Sequence, residues 1–329
     1  MIKVASALAA LSLLACSPAA AQTYKAPRTA FGQPDLQGTW TNAALTRIER
    51  PDVLATVVVP PDRARAFEAA HSGTPPIVDD VGQADSEWWD LGATLGRVGG
   101  QARGAWVVEP ADGRLPLTEA GRRAMNPPPP GFDGPEQRLG SERCVNAIGS
   151  PAGPPMLNAP YANNYQIVQT ADQVAIVVEM NHDVRIIRLS GAHPPAGMQL
   201  WMGDSIGHWE GETLVVETTN LNPAEAVRGG PAIGRLYVGA GARVIERFTR
   251  TARDEIRYQF TVEDPKIYAR PWRAEMGFHP AKGPLFEFAC HEGNYSMAGM
   301  LAGARRAEAD ARAASAGQAA SAAPPRTVP

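Results

Sequence analysis

The sequence predicts a mainly β protein: an antiparallel barrel with a Pro-rich N-terminal arm and a short C-terminal helix. Three observations carry that prediction. Between Tyr165 and Cys290, short β-branched or aromatic runs recur with turn signals between them. No amphipathic stretch long enough for a parallel crossover interrupts those runs. The 30 prolines and 32 glycines are dispersed among apolar segments rather than gathered in one block, which implies many turns and long ordered loops.

The first element is a secretory signal peptide over residues 1–21. Lys3 supplies a positive start, Val4 to Ala15 an apolar stretch, and Ala19-Ala20-Ala21 a small-residue cleavage site before Gln22. That stretch is too short to span a bilayer, so no transmembrane segment is expected and the mature chain is periplasmic or secreted. A competing reading takes Leu13-Leu14-Ala15-Cys16 as an imperfect lipoprotein signal, with Cys16 acylated as a lipid anchor. Either route removes Cys16. Cys144 and Cys290 remain, and an even count in an oxidising compartment predicts a disulfide between them.

Residues 22–139 form the Pro-broken arm. A first strand signal lies at Gly38-Thr39-Trp40-Thr41, and helix candidates lie at Pro61–His71, Asp85–Gly96 and Thr118–Met125, the last with Thr118 as N-cap. A small contribution to the core is expected of this arm. Asn126-Pro127-Pro128-Pro129-Pro130-Gly131 reads as an extended connector. The barrel is assigned to residues 140–295, with strands at Ile167–Gln169, Val174–Met180, Val184–Leu189, Thr213–Thr218, Val244–Arg250, Glu255–Glu263 and Phe286–Cys290. Ser296–Ala314 reads as a helix, and 315–329 as a disordered tail too poor in apolar surface to order.

The balance of 31 basic and 34 acidic residues, net −3, leaves no electrostatic footprint for nucleic acid. G-x-S-x-G, Walker and paired C-x-x-C patterns are absent, setting aside the α/β-hydrolase, P-loop and zinc-ribbon classes. Two clusters carry candidate chemistry. Glu179-Met180-Asn181-His182-Asp183-Val184-Arg185 brings acids, an imidazole and a guanidinium within seven residues. Strict alternation would put His182 on the face opposite Asp183 and Arg185, unless His182-Asp183 is itself the turn. Cys290-His291-Glu292-Gly293-Asn294-Tyr295 places a second His-acid pair beside the expected disulfide. The bland alternatives are a structural Asp–Arg pair with a surface histidine, and a cysteine that is only a staple. Glu210-Gly211-Glu212 reads as a tight turn with solvated carboxylates, while Glu217 lies inside an apolar strand. No cofactor is expected. An alternative metal reading would draw on His182, His291 and His208 or Glu292, although no H-x-H or H-x-x-x-H pair is present.

Pro34-Asp35-Leu36-Gln37-Gly38-Thr39-Trp40, Asp112-Gly113-Arg114-Leu115-Pro116, Glu142-Arg143-Cys144, the Gly-Asp-Ser and Trp-Glu-Gly elements of 203–211, Asp264-Pro265, Arg270-Pro271-Trp272 and the Cys-His-Glu-Gly-Asn-Tyr corner together resemble a family of secreted bacterial hypothetical proteins. The resemblance covers most of the mature chain and implies little about activity. This chain departs from the family pattern at His208, where arginine is usual. The sheet portion also resembles small lipocalin-like barrels, a likeness of fold alone.

The expected function is an acid–base enzyme, a lyase or hydrolase acting on a small aromatic or glycosidic compound in the barrel mouth. His182 or His291 would be the base or acid, Asp183 or Glu292 would orient it, and Arg185 would hold developing negative charge. Trp89, Trp201 and Trp272 would stack on the ligand, with Asp204 and Tyr295 also lining the site. A non-catalytic periplasmic ligand-binding protein is the rival expectation. A structural protein of the cell envelope is the third, and it predicts a filled barrel and an exposed apolar patch.

Overall fold

The computed structural model describes residues 24–71, 91–147, 149, 151–230 and 232–321. The signal peptide, Cys16, Trp89 and residues 85–90 of one helix candidate lie outside the described residues; Leu91–Gly96, the rest of that candidate, is not helical.

Nine strands close into a barrel: β1 (Gly38–Thr41), β2 (Asn164–Gln169), β3 (Gln173–Val178), β4 (Val184–Arg188), β5 (Asp204–Glu210), β6 (Thr213–Thr219), β7 (Arg243–Ala252), β8 (Glu255–Glu263) and β9 (Trp272–Pro280). Each pairs with the next in chain order, and β9 pairs with β1 to complete the ring. Strand directions that alternate around a ring return to their start only if the count is even. Nine strands therefore require one parallel pair, and it is β4–β5, with Ile187 opposite Ser205 and Arg188 opposite Ile206. This corrects the expectation of a wholly antiparallel sheet. The crossover 189–203 that makes the pair contains no helix and is held by side chains instead. Asn220, at φ 59°, donates through Nδ2 to the carbonyls of Pro195 at 2.9 Å and Met198 at 3.0 Å.

Two barrel strands escape the sequence pattern. Glycines in Asp204–Glu210 read as loop, yet a Cβ at Gly207 would press on the side chains of Ile187 and Leu214, so the glycine is demanded by close packing. In β9, residues 274–278 are all buried, because the arm covers its outer side and period-2 alternation is lost. The expected strand Phe286–Cys290 is an unladdered strap.

The arm does more than was expected of it. β1 spans only part of the β9 edge, at His279 and Pro280, and Val107–Glu109 takes the rest, at Arg273 and Ala274. Leu36, Trp40, Ile48, Trp106 and Val107 join the main hydrophobic core. Arg103 pairs with Glu275 on the outer side of β9 at 2.6 Å. Helix α1 (Pro61–His71) matches its expected span. In α2 (Glu119–Ala124) the Thr118 side chain accepts from Gly121 N, as its capping role requires. Helix α3 (Tyr295–Ser321) runs past Ala314, so the beginning of the expected disordered tail is helical, in keeping with the high helix propensity of alanine.

Inside, the barrel is filled. Eight strands already give a lumen that side chains can fill, and this wider ring also takes in a stretch of its own chain. Residues 151–159 are all buried. Met156 N donates to the Tyr258 hydroxyl at 2.8 Å, and the Tyr165 hydroxyl donates to the Leu157 carbonyl at 3.1 Å. One polar layer crosses this apolar interior over five consecutive strands. Arg185 on β4 donates to Ser205 Oγ on β5 (3.1 Å), to Thr218 Oγ1 on β6 (3.0 Å) and to both carboxylate oxygens of Glu246 on β7. Tyr258 on β8 donates to Glu246 Oε1 at 2.7 Å. Burial alone would depress the Arg185 guanidinium, but the Glu246 carboxylate more than offsets it and holds the charge on.

Candidate functional site at the disulfide corner

The β3–β4 connection is short because two residues turn left-handed: Asn181 at φ 60° and His182 at φ 53°. Val178 N closes the turn on the Asp183 carbonyl at 2.8 Å. The region costs an L-residue about 1–2 kcal/mol, and asparagine and histidine are among the non-glycine residues that most often accept it. His182-Asp183 is thus the turn itself, the exception to strict alternation. Surrounding bonds fix the strained geometry. The Phe288 N–H donates to His182 Nε2 at 3.0 Å, and the Phe286 N–H donates to Glu179 Oε1 at 2.9 Å. Alternate amides of the 286–290 strap, which a strand would place in a ladder, are therefore satisfied by turn side chains. The second oxygen of Glu179 accepts from Asn164 Nδ2 at 2.7 Å.

The strap is also pinned covalently. Cys144 and Cys290 form the expected disulfide, with Cα atoms 5.7 Å apart. Asn294 Nδ2 donates to the Glu142 carbonyl at 2.7 Å from the other side. His291 follows Cys290 directly and lies three residues beyond Phe288, so those two Cα atoms are within about 11 Å of each other. The pairs His182-Asp183 and His291-Glu292 thus share one corner of the barrel, with His182, His291 and Glu292 all exposed.

Chemistry at the corner follows from these bonds. A histidine that accepts at Nε2 carries its proton on Nδ1 and presents a donor. Burial pushes the Asp183 carboxyl above its ordinary range, outweighing the bonds it accepts from Asn181 Nδ2 and Ala147 N and the proximity of His182. His182 and Asp183 are thus consecutive residues of one turn, the imidazole exposed and the carboxyl half-buried with its pKa raised.

Other expected site residues lie elsewhere. Arg185 is 2% exposed and committed to Glu246 in the lumen, so it is a buried structural cation rather than an anion holder at the mouth. Trp272 is 1% exposed, edge-on to Phe260 and Tyr268, so its rings serve core packing and not ligand stacking. Tyr295, at 83% exposure, begins α3 and lines no cavity with Arg185. Trp201 sits half-buried on the β4–β5 crossover.

Asp204 belongs to a second cluster on the outer wall, around a residue the sequence did not single out. His193 Nδ1 lies 2.6 Å from Asp204 Oδ2, and its Nε2 lies 3.5 Å from Glu217 Oε1. Arg188 pairs with Asp204 at 2.8 Å, and Arg243 pairs with Glu217. His193 stands in a Pro-flanked loop with no spacing relation to either carboxylate, so only the crossover's path brings them together. Its evident work is to tie that crossover to the sheet. Glu179 was counted in the first cluster but given no role of its own, although a carboxylate ending an apolar strand was the signal for one. Among the described residues no group of three His, Cys, Asp or Glu side chains is placed to hold a metal ion. Comparison of the chain with protein-family models, curated proteins and solved structures finds no match.

Proposed function

We propose that this is a secreted small-molecule enzyme, a lyase or hydrolase, whose acid–base chemistry runs at the disulfide corner on an aromatic or glycosidic compound. The observation that carries the reading is the left-handed His182, held by a backbone amide next to the half-buried Asp183 carboxyl, whose pKa is raised. The left-handed turn is held by a disulfide-pinned strap and two clamping side chains, and such fixed geometry concentrates at sites of function. The substrate would approach from solvent, with the exposed Phe286 at 67% offering an aromatic face, because the buried residues 151–159 and the Arg185–Glu246 layer take up the interior among the described residues. No described helix is long and apolar enough to cross a membrane, and the disulfide suits an oxidising compartment.

One pair of observations favours a structural protein of the cell envelope instead. The lumen is filled, and Val168, Val184 and Ile186 form an exposed apolar stripe on the outer wall. Incubating a mixed library of aromatic and glycosidic compounds with the wild type and with a His182→Ala/His291→Ala variant separates the readings. We expect a compound consumed by the wild type to survive with the variant, each histidine contributing roughly 10²–10⁴-fold to turnover. Equal turnover by both proteins would overturn the site. Ligand retention without product in both would point to the binding-protein reading, and neither turnover nor retention to the structural one.

A further inference from the structure

Away from the disulfide corner, the arm and a two-stranded hairpin outside the barrel form an open groove of about 440 Å³ lined by Arg47, Glu49, Leu117, Arg122, Met125, Asn126, Gly230, Gly234 and Arg235. We propose that this groove binds a small ligand with a doubly charged oxyanion head and a short apolar tail. Three guanidinium groups face one carboxylate there, and that carboxylate already accepts from Leu115 N through Oε1 at 2.8 Å. Arg122 and Arg235, neither ion-paired to a described carboxylate, bring two positive charges to the groove.

The arginines are not needed to finish α2. Its last carbonyls are met locally: Gly121 O by Met125 N, Arg123 O by Asn126 N, and Arg122 O by Asn126 Nδ2. Arg122 commits Nη1 to the Leu117 carbonyl at 2.9 Å, which orients its fork. No carboxylate among the described residues forms an ion pair with Arg122 or Arg235. The Arg122 fork, held at Nη1, and the Arg235 fork beside it suit the paired oxygens of a phosphate or dicarboxylate better than the single contacts lysine would offer. On the opposite wall the hairpin of Val227–Gly230 and Gly234–Tyr237 turns glycines to the groove, and a Cβ at Gly230 would meet nothing within 4 Å. Leu117 and Met125 supply the apolar surface for the tail, and the volume lies in the range of small-ligand pockets. None of these residues takes part in the proposed acid–base site.

Calorimetric titration of the full chain with phenyl phosphate, phthalate and benzyl alcohol tests the assignment. Phenyl phosphate or phthalate should bind the wild type, and whichever binds tighter identifies the head group. Arg122→Gln/Arg235→Gln should weaken that binding about tenfold or more, while Arg122→Lys/Arg235→Lys should restore part of it. Added salt should weaken wild-type binding. Both arginines are exposed, so the melting temperatures of the variants should match the wild type. Equal affinity in wild type and the Gln variant, equal affinity for benzyl alcohol, or no binding of either anion at millimolar concentration would overturn the proposal.

Discussion

Asp183 shows how one residue can carry both cost and chemistry. Burial raises its carboxyl pKa against three favourable interactions, so the ionised form is held at the folded protein's expense. The folded state then binds the proton at pH values where the unfolded chain has released it. Stability accordingly rises as pH falls from neutral through the raised value, and it levels off below the ordinary carboxylate range. Urea unfolding at a series of pH values should show this rise in the wild type relative to Asp183→Asn. A relative slope of the opposite sign would mean that the carboxylate is net stabilised. His182 is the complementary case, since the modest tolerance of histidine for positive φ does not by itself fix its position at φ 53°. It is imposed by the bond from Phe288 N and the closure of the turn.

The strap explains why a strand was expected at Phe286–Cys290 and is absent. Its alternate amides do find partners, but these are the side chains of Glu179 and His182 rather than a neighbouring backbone. Periodicity reports which way side chains point, and it cannot tell a ladder from a clamp. The disulfide holds this element to Cys144 across 146 residues of sequence, for which the chain-entropy model gives a stabilisation of about 5 kcal/mol as an upper figure. Reduction should cost about 2–5 kcal/mol in denaturant unfolding. It should also speed hydrogen exchange at the Phe286 and Phe288 amides more than at β7 or β8. Unchanged exchange in the strap would show that the two side-chain clamps suffice without the covalent bond.

The barrel is a joint product of both ends of the chain. β1 comes from the arm, seals β2 to β9, and brings Trp40 into the core, while Val107–Glu109 completes the β9 edge. Deleting residues 24–42 should therefore open the ring between β2 and β9 rather than trim a peripheral extension. We expect that variant to bind a hydrophobic dye and to lose cooperative unfolding, since exposed strand edges and a breached core leave no single packed state. A truncated chain that unfolds cooperatively near the wild-type midpoint would make the arm dispensable.

Local rules served well wherever a local cause governs the outcome. Thr118 ahead of Glu119 marks a helix start, Gly211 at φ 60° a tight turn, and the alternation of β8 a strand half-buried in its sheet. The pairing of Cys144 with Cys290 followed from compartment and count, and the two His-acid pairs were found from composition within short windows. What eluded sequence reading depends on contacts between distant segments. β9 lost its alternation because the arm buries its second face, Gly207 looked like a loop because its reason is two neighbouring strands, and His193 meets Asp204 and Glu217 only through the crossover. The parallel pair follows from strand parity, a property of the closed ring and of no segment within it. Arg185 left the site for the same kind of reason: an arginine facing a lumen is drawn to a buried carboxylate there, Glu246, which lies 61 residues away in sequence.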